Sequence, residues 1–147
     1  MMNTLDLFWQ QCRREKGIET KTYIEAFHFG VEADWLAGLV RTGKKRATCS
    51  GHIFYELENE PLPQAEEYNI VLYSSNEPAA VIRTTRVDVL PMNEVPKEFA
   101  EAEGEGDYDA WWHNHEVFFR DHLKASHLTF SPDMLLVCER FEVVYSN

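Results

Sequence analysis

Leu5, Phe8, Trp9 and Cys12 recur at helical spacing behind Asn3 and Thr4, either of which can cap, so the chain opens with an amphipathic helix that Gly17 ends. After a connector containing Tyr23 and Phe27, residues 31–42 set Trp35, Leu36, Leu39 and Val40 on one face, and Gly43 offers a left-handed stop. A second helix therefore delivers the chain to the residues after Gly43. The small, partly β-favouring stretch 47–50 suits a strand start or a tight loop. Residues 56–67, rich in carboxylates and carrying Pro61 and Pro63, read as an exposed excursion. Residues 68–73 and 79–90, rich in Val, Ile, Tyr and Thr, flank the turn 74–78 and predict an antiparallel hairpin. Pro91 and Pro96 bracket a turn, residues 97–103 look helical, and Gly104-Glu105-Gly106-Asp107 breaks that helix with Glu103 at its end. Trp111, Trp112, His115, Phe118, Phe119 and His122 predict a third long helix with a wide aromatic face, much of it core. Residues 134–145 close the chain as a strand. This order predicts an α+β fold with a small curled or barrel-like sheet.

Composition narrows the function classes. A chain of 147 residues with 44% apolar content suits one core. No apolar run approaches the ~20 residues that span a bilayer, and the amino terminus lacks a signal-peptide pattern, so a cytoplasmic protein with no membrane partner is expected. Cys12, Cys49 and Cys138 lie far apart and read as free thiols. Against 25 carboxylates stand 14 Lys and Arg, for a net charge of -11, which disfavours duplex DNA as a partner. Yet Arg41, Lys44, Lys45 and Arg46 fall together, so a local positive site for a small anionic ligand can sit on an acidic body.

Lys45 and Thr48, just past a helix-ending glycine, can share one pocket wall. A lysine activates a threonine hydroxyl either by lowering its pKa electrostatically or as a desolvated neutral base. His113, His115 and His122 lack a third ligand at metal-site spacing, so no metal and no cofactor are expected. The aromatic helix can stack a nucleobase, worth about 1 to 3 kcal/mol per base, and Trp112 is the candidate for that role. No histidine is placed beside Cys49 by sequence, so cysteine catalysis is not expected.

Five motifs in order, Phe29-Gly30, Gly43-Lys44-Lys45-Arg46-Ala47-Thr48-Cys49-Ser50, Pro61-Leu62-Pro63, Ala100-Glu101-Ala102-Glu103-Gly104-Glu105-Gly106-Asp107 and Phe130-Ser131-Pro132-Asp133-Met134, resemble the ASCH domain family, and most of all its bacterial YhfF-like branch. The resemblance implies a PUA-like fold, a small β-barrel flanked by helices, over residues 25–147, with residues 1–24 as an added helical extension packed on it. It also implies a cleft beside the Lys-x-x-Thr motif and a relation to RNA-binding domains. Some small members of the family are amidohydrolases that deacylate N4-acetylcytidine through a lysine, a threonine and a glutamate, and another has been assigned ribonuclease activity. These catalytic positions fall on Lys45, Thr48 and Glu103.

Two functions follow as expectations. One is a hydrolase of an amide or acyl group on a nucleoside-like small molecule. Either Lys45 activates Thr48 as nucleophile, or Glu103 activates water while Thr48 and Lys45 hold the oxyanion. In the first route Glu103 handles the leaving amine's proton, which requires burial to raise its pKa toward neutrality. The alternative is a module that binds short RNA or a modified nucleotide through Lys44, Lys45, Arg46, Arg83 or Arg86.

Overall fold

The computed structural model describes residues 3–30 and 32–146. Helix α1, Thr4–Lys16, starts where the Asn3 side chain accepts the Asp6 N–H at 2.8 Å and stops at Gly17, φ 64°. Its Phe8, Trp9 and Cys12 pack on Ile70, Leu72 and Val81 of the sheet, and the Trp9 indole donates to the Lys21 carbonyl at 2.8 Å. Each fully buried aromatic of this kind is worth about 1.5–3 kcal/mol, so α1 is held firmly on the sheet.

The connector contains a two-residue strand not foreseen from the sequence, β1, Ala26–Phe27. Helix α2, Ala33–Arg41, buries Leu36, Ala37 and Val40 beneath β4. Of the expected span 31–42, residue 31 lies outside the described residues, and Trp35, expected on the inner face, is 50% exposed. Strand β2, Ala47–Gly51, runs straight into α3, His52–Glu58, a short helix where part of an exposed excursion was expected. Strands β3, Tyr68–Leu72, and β4, Pro78–Pro91, form the predicted hairpin, and a 3₁₀ turn, Met92–Glu94, fills the segment between the two prolines. Helices α4, Lys97–Ala102, and α5, Tyr108–Ala125, precede the closing strand β5, Leu135–Ser146.

The sheet order is β1-β3-β4-β5-β2, parallel between β1 and β3 and antiparallel elsewhere. The long β4–β5 ribbon carries register shifts at Val81/Ile82 and Thr84/Arg86. Such bulges bend and twist a ribbon, and here they curl it round a concave face. β3 lies along the first half of β4, whereas β2 pairs with residues 136–140 of β5 beside the second half. This stagger leaves β1 and β2 as edges, so the expected barrel is a curled, open five-stranded sheet. The α+β expectation holds, with closure as the corrected detail. Among the described residues no helix is long and apolar enough to cross a membrane.

One contact seats α4 on the loop before β2. The Arg46 N–H donates to the Ala102 carbonyl at 2.7 Å, while the Arg46 carbonyl accepts the Phe141 N–H at 3.0 Å. Gly104 sits against this junction at φ +76°, where a Cβ would lie 2.6 Å from the Lys44 carbonyl oxygen. Gly43 has a similar φ of +79° but open space around it. Gly43→Ala should therefore cost only the left-handed penalty, about 1–2 kcal/mol. Gly104→Ala should cost more than Gly43→Ala in urea unfolding, because backbone must also shift, and equal costs would show that the junction is loose.

Candidate active site

The junction carries Lys45 inward. After α2 the Lys44 and Lys45 N–H groups both donate to the Leu39 carbonyl, at 2.9 and 3.0 Å, which turns the chain and drives the Lys45 side chain under α4. Lys45 and Glu103 are each only 2% exposed, although both line a cleft of about 640 Å³. Lys45 Nζ donates to the Glu103 carbonyl at 3.3 Å, to Glu103 Oε1 at 3.4 Å and to Glu105 Oε2 at 2.8 Å, and lies 5.2 Å from the Phe29 ring centroid.

Helix α5 supplies the other side. Asp107 caps it, accepting the Ala110 N–H at 2.8 Å, and its first turns bring Trp111 and His115 onto Glu103. Glu103 Oε2 accepts the Trp111 indole N–H at 2.5 Å and the Cys49 thiol at 3.3 Å, and His115 Nε2 stands 3.4 Å away. His115 Nδ1 is 2.7 Å from the Trp111 carbonyl oxygen. A carbonyl only accepts, so Nδ1 carries a proton and Nε2 is the nitrogen that exchanges one.

Burial alone would raise the pKa of Glu103. The His115 hydrogen bond, the Lys45 charge and the Trp111 N–H together outweigh it, so the pKa lies below its ordinary 4.5. The sequence-based mechanism required the opposite direction, and Glu103 is therefore a firm carboxylate. His115 shows the mirror effect: burial disfavours its cation, but the hydrogen bond and charge of Glu103 prevail and raise its pKa above 6.5. Burial and then the Glu103 charge push the Cys49 thiol well above its ordinary value, which keeps it protonated and a poor nucleophile. Cys49, Glu103 and His115 bring ligand-type atoms within 4.8 Å of one another. A cation there would have to displace the Trp111 and Cys49 hydrogen bonds and approach the Lys45 ammonium.

Thr48 lines the same cleft from β2. Among the described residues no hydrogen bond joins its hydroxyl to Lys45 or Glu103. Three candidates from the sequence thus meet at one cleft, and the five candidate ligand-binding residues do not line it. Lys44 and Arg46 are exposed outside the cleft. Arg83 is engaged by Glu66 and Glu142, and Arg86 by Asp88 at 2.8 Å. Trp112 donates to Glu116 Oε1 at 3.0 Å and leans on the core. Four aromatic side chains other than His115 line the cleft, of which Phe29 and Phe119 are buried while Trp35 and Phe118 are 50% and 47% exposed. His115 and Glu105, together with Glu32 and Asn114, are polar lining residues that sequence reasoning missed. The available signal was the Trp111/His115 i,i+4 pair next to a helix-ending Glu103.

The ASCH domain family model matches residues 25–145. A crystal structure of a protein from Enterococcus faecalis V583, assigned to DUF984, is 40% identical, covers 97% of this chain and 89% of its own, and superposes with a TM-score of 0.86. The ASCH domain from Lactobacillus crispatus JV V101 is 32% identical, with coverage of 99% and 96% and a TM-score of 0.91. Comparison with the curated proteins finds no match.

The paired shifts fix the sign of a pH effect. His115, with its folded pKa raised, contributes stability that is fully present below 6.5 and is lost as pH rises through the folded value. Glu103, with its pKa lowered, contributes stability that is present above 4.5 and is lost as pH falls through the folded value. NMR titration should place the His115 ring transition above 6.5, and Glu103→Gln should move it down. An unmoved transition would separate the two groups.

Proposed function

The chain belongs to the ASCH domain family, and on that premise we propose that it is an amide hydrolase acting on nucleoside-like small molecules. The observation that carries this reading is an ion pair, Lys45 with Glu103, buried to 2% exposure at the floor of a cleft that Thr48 also lines. Placing charges away from water costs several kcal/mol per ion, and an apolar pair would stabilise the fold as well, so the retained charges suit chemistry.

In the proposed reaction Thr48 Oγ1 attacks the substrate carbonyl and forms a C–O bond. Neutral His115 swings Nε2 from Glu103 Oε2 into the cleft and takes the hydroxyl proton, and the imidazolium N–H then returns to Glu103, which stabilises it. Lys45 exchanges its bond to the partly exposed Glu105 for one to the tetrahedral oxyanion. As the C–N bond breaks, His115 returns the proton to the leaving amine, and water then releases the acyl group from Thr48 by the same route. The proton carrier is thus His115, while the low pKa of Glu103 suits it to orient and charge-balance the ring. The cleft volume of about 640 Å³ falls within the range that encloses a small molecule, and Trp35 and Phe118 offer ring faces at its edge.

An ASCH domain is a PUA-like fold often linked to RNA binding, and the exposed Lys44 and Arg46 favour short RNA as a second reading. On an acidic body such binding would be local and salt-dependent.

With a panel of N4-acylated cytidines, Thr48→Ala and Lys45→Met should each lower kcat about 100-fold or more, and His115→Gln by a similar order. Rates that survive all three substitutions would sink the hydrolase. Should the wild type leave every amide intact but bind a short RNA that Lys44→Glu/Arg46→Glu releases, the second reading takes its place.

A further inference from the structure

Beyond the cleft lies a second cavity, of about 430 Å³, inside the curl of the sheet. All five strands wall it, through Phe27 of β1, Thr48 of β2, Asn69 of β3, Thr84 of β4 and Glu139 of β5. The Pro61-Leu62-Pro63 segment and Tyr55 flank it where β1 and β2 stop short of pairing. Phe29, Thr48 and Cys49 line both cavities and form the partition between them.

Its chemistry is one-sided. Glu25, Glu60, Glu67 and Glu139 all line it, with no Lys, Arg or His among the described lining residues. Phe27, Phe29 and Phe141 add aromatic surface, and ring faces attract cations. A separate observation points to an occupant. Thr84 is 2% exposed, lines the cavity, and its hydroxyl makes no hydrogen bond among the described residues. That oxygen opens onto the cavity rather than being sealed in protein, so it is free to accept a hydrogen bond from an occupant.

The carboxylates are distributed in depth. Glu25 and Glu60 are exposed at the rim, where Asn69 Oδ1 accepts the Glu25 N–H at 3.1 Å and ties that rim to the wall, whereas Glu67 and Glu139 are half-buried. They do not gather within reach of one metal ion, since the group of described residues close enough to do so is Cys49, Glu103 and His115. Spaced acceptors along an aromatic-walled cavity fit an elongated cation with an N–H-bearing centre at each end. We propose that this cavity binds an aliphatic diammonium ligand, one ammonium against Glu139, Glu67 and Thr84 and the other at the Glu25–Glu60 rim. The electrostatics agree: burial, then the charges of Glu67 and Glu25, push the Glu139 pKa up to about 7, a repulsion that a cation relieves.

The inference is independent of hydrolysis, and its test needs no substrate. The full chain is titrated with 1,4-diaminobutane at pH 8 by calorimetry and amide NMR, with uncharged 1,4-butanediol and with magnesium chloride as comparisons. Expected are saturable 1:1 binding of the diamine alone, resonance shifts at Thr84, Asn69 and Glu139, and affinity at least about tenfold weaker in both Glu139→Gln and Glu67→Gln. Glu77→Gln, in an exposed turn, should leave affinity unchanged. Absence of saturation would overturn the proposal. So would equal weakening by Glu77→Gln, which would mean diffuse attraction to the acidic body, or displacement by magnesium at the same resonances. Cytidine shifting these residues while the diamine does not would also overturn it and assign the cavity to a nucleobase.

Discussion

Everything at the cleft depends on Lys45 and Glu103 being buried together. Neither charge is tolerable alone at 2% exposure, because removing one member of such a pair leaves an uncompensated ion and typically costs about 3–5 kcal/mol. The pair can meet only if the loop after α2 and the end of α4 lie backbone to backbone. That approach is fixed by the Arg46 N–H on the Ala102 carbonyl and by a glycine at 104. With Glu103 so placed, Trp111 and His115 of α5 find their acceptor, and the aromatic helix is held against the sheet by polar as well as apolar contacts.

The charge distribution follows the same economy. A net charge of -11 coexists with few accessible cations because the protein's own carboxylates engage several of its arginines, as in Arg83 with Glu66 and Glu142 and Arg140 with Glu98. Exposed pairs of this kind add little stability, yet they reduce the positive surface open to a polyanion. What remains is divided between two chambers of contrasting character. The cleft sets Lys45 and His115 among Glu32, Glu103 and Glu105, while the chamber inside the curled sheet gathers carboxylates with no basic residue among its described lining.

Local features were legible in the sequence, and contacts across long separations were not. The caps at Asn3 and Gly17 and the turn of the chain at Gly43 depend on neighbours within a few residues, and the hairpin of β3 and β4 joins strands adjacent in sequence through one short turn. Lys45 and Thr48 were singled out by their spacing and Glu103 was added by resemblance, since 58 residues separate the lysine from the glutamate it contacts. His115 escaped because it was weighed as a metal ligand rather than as a partner for a carboxylate. Trp35 escaped because helical spacing assigns a face but not what covers it, and the described residues leave half of this side chain uncovered. Glu103 was misjudged in direction for an instructive reason. Burial was visible in prospect, but the donors that reverse its effect come from α5 and from the loop before β2 and meet only in three dimensions.

Strand β2 shows how five residues can serve both chambers. Successive side chains on a strand point to opposite faces. Ala47 and Cys49 therefore turn toward α4 and α5, where Cys49 reaches Glu103, while Ser50 turns to the other side and meets the Tyr55 hydroxyl at 2.9 Å. Thr48 shares the face of Ser50 and stands at the partition, lining both cavities. A hydroxyl in that position touches the space reached by Lys45 on one side and by the interior carboxylates on the other. Closure of the barrel by pairing β1 with β2 would remove this arrangement, because the edge that leaves the chambers adjoining would become an interior strand pair. The open sheet is thus the feature that gives a single threonine access to both.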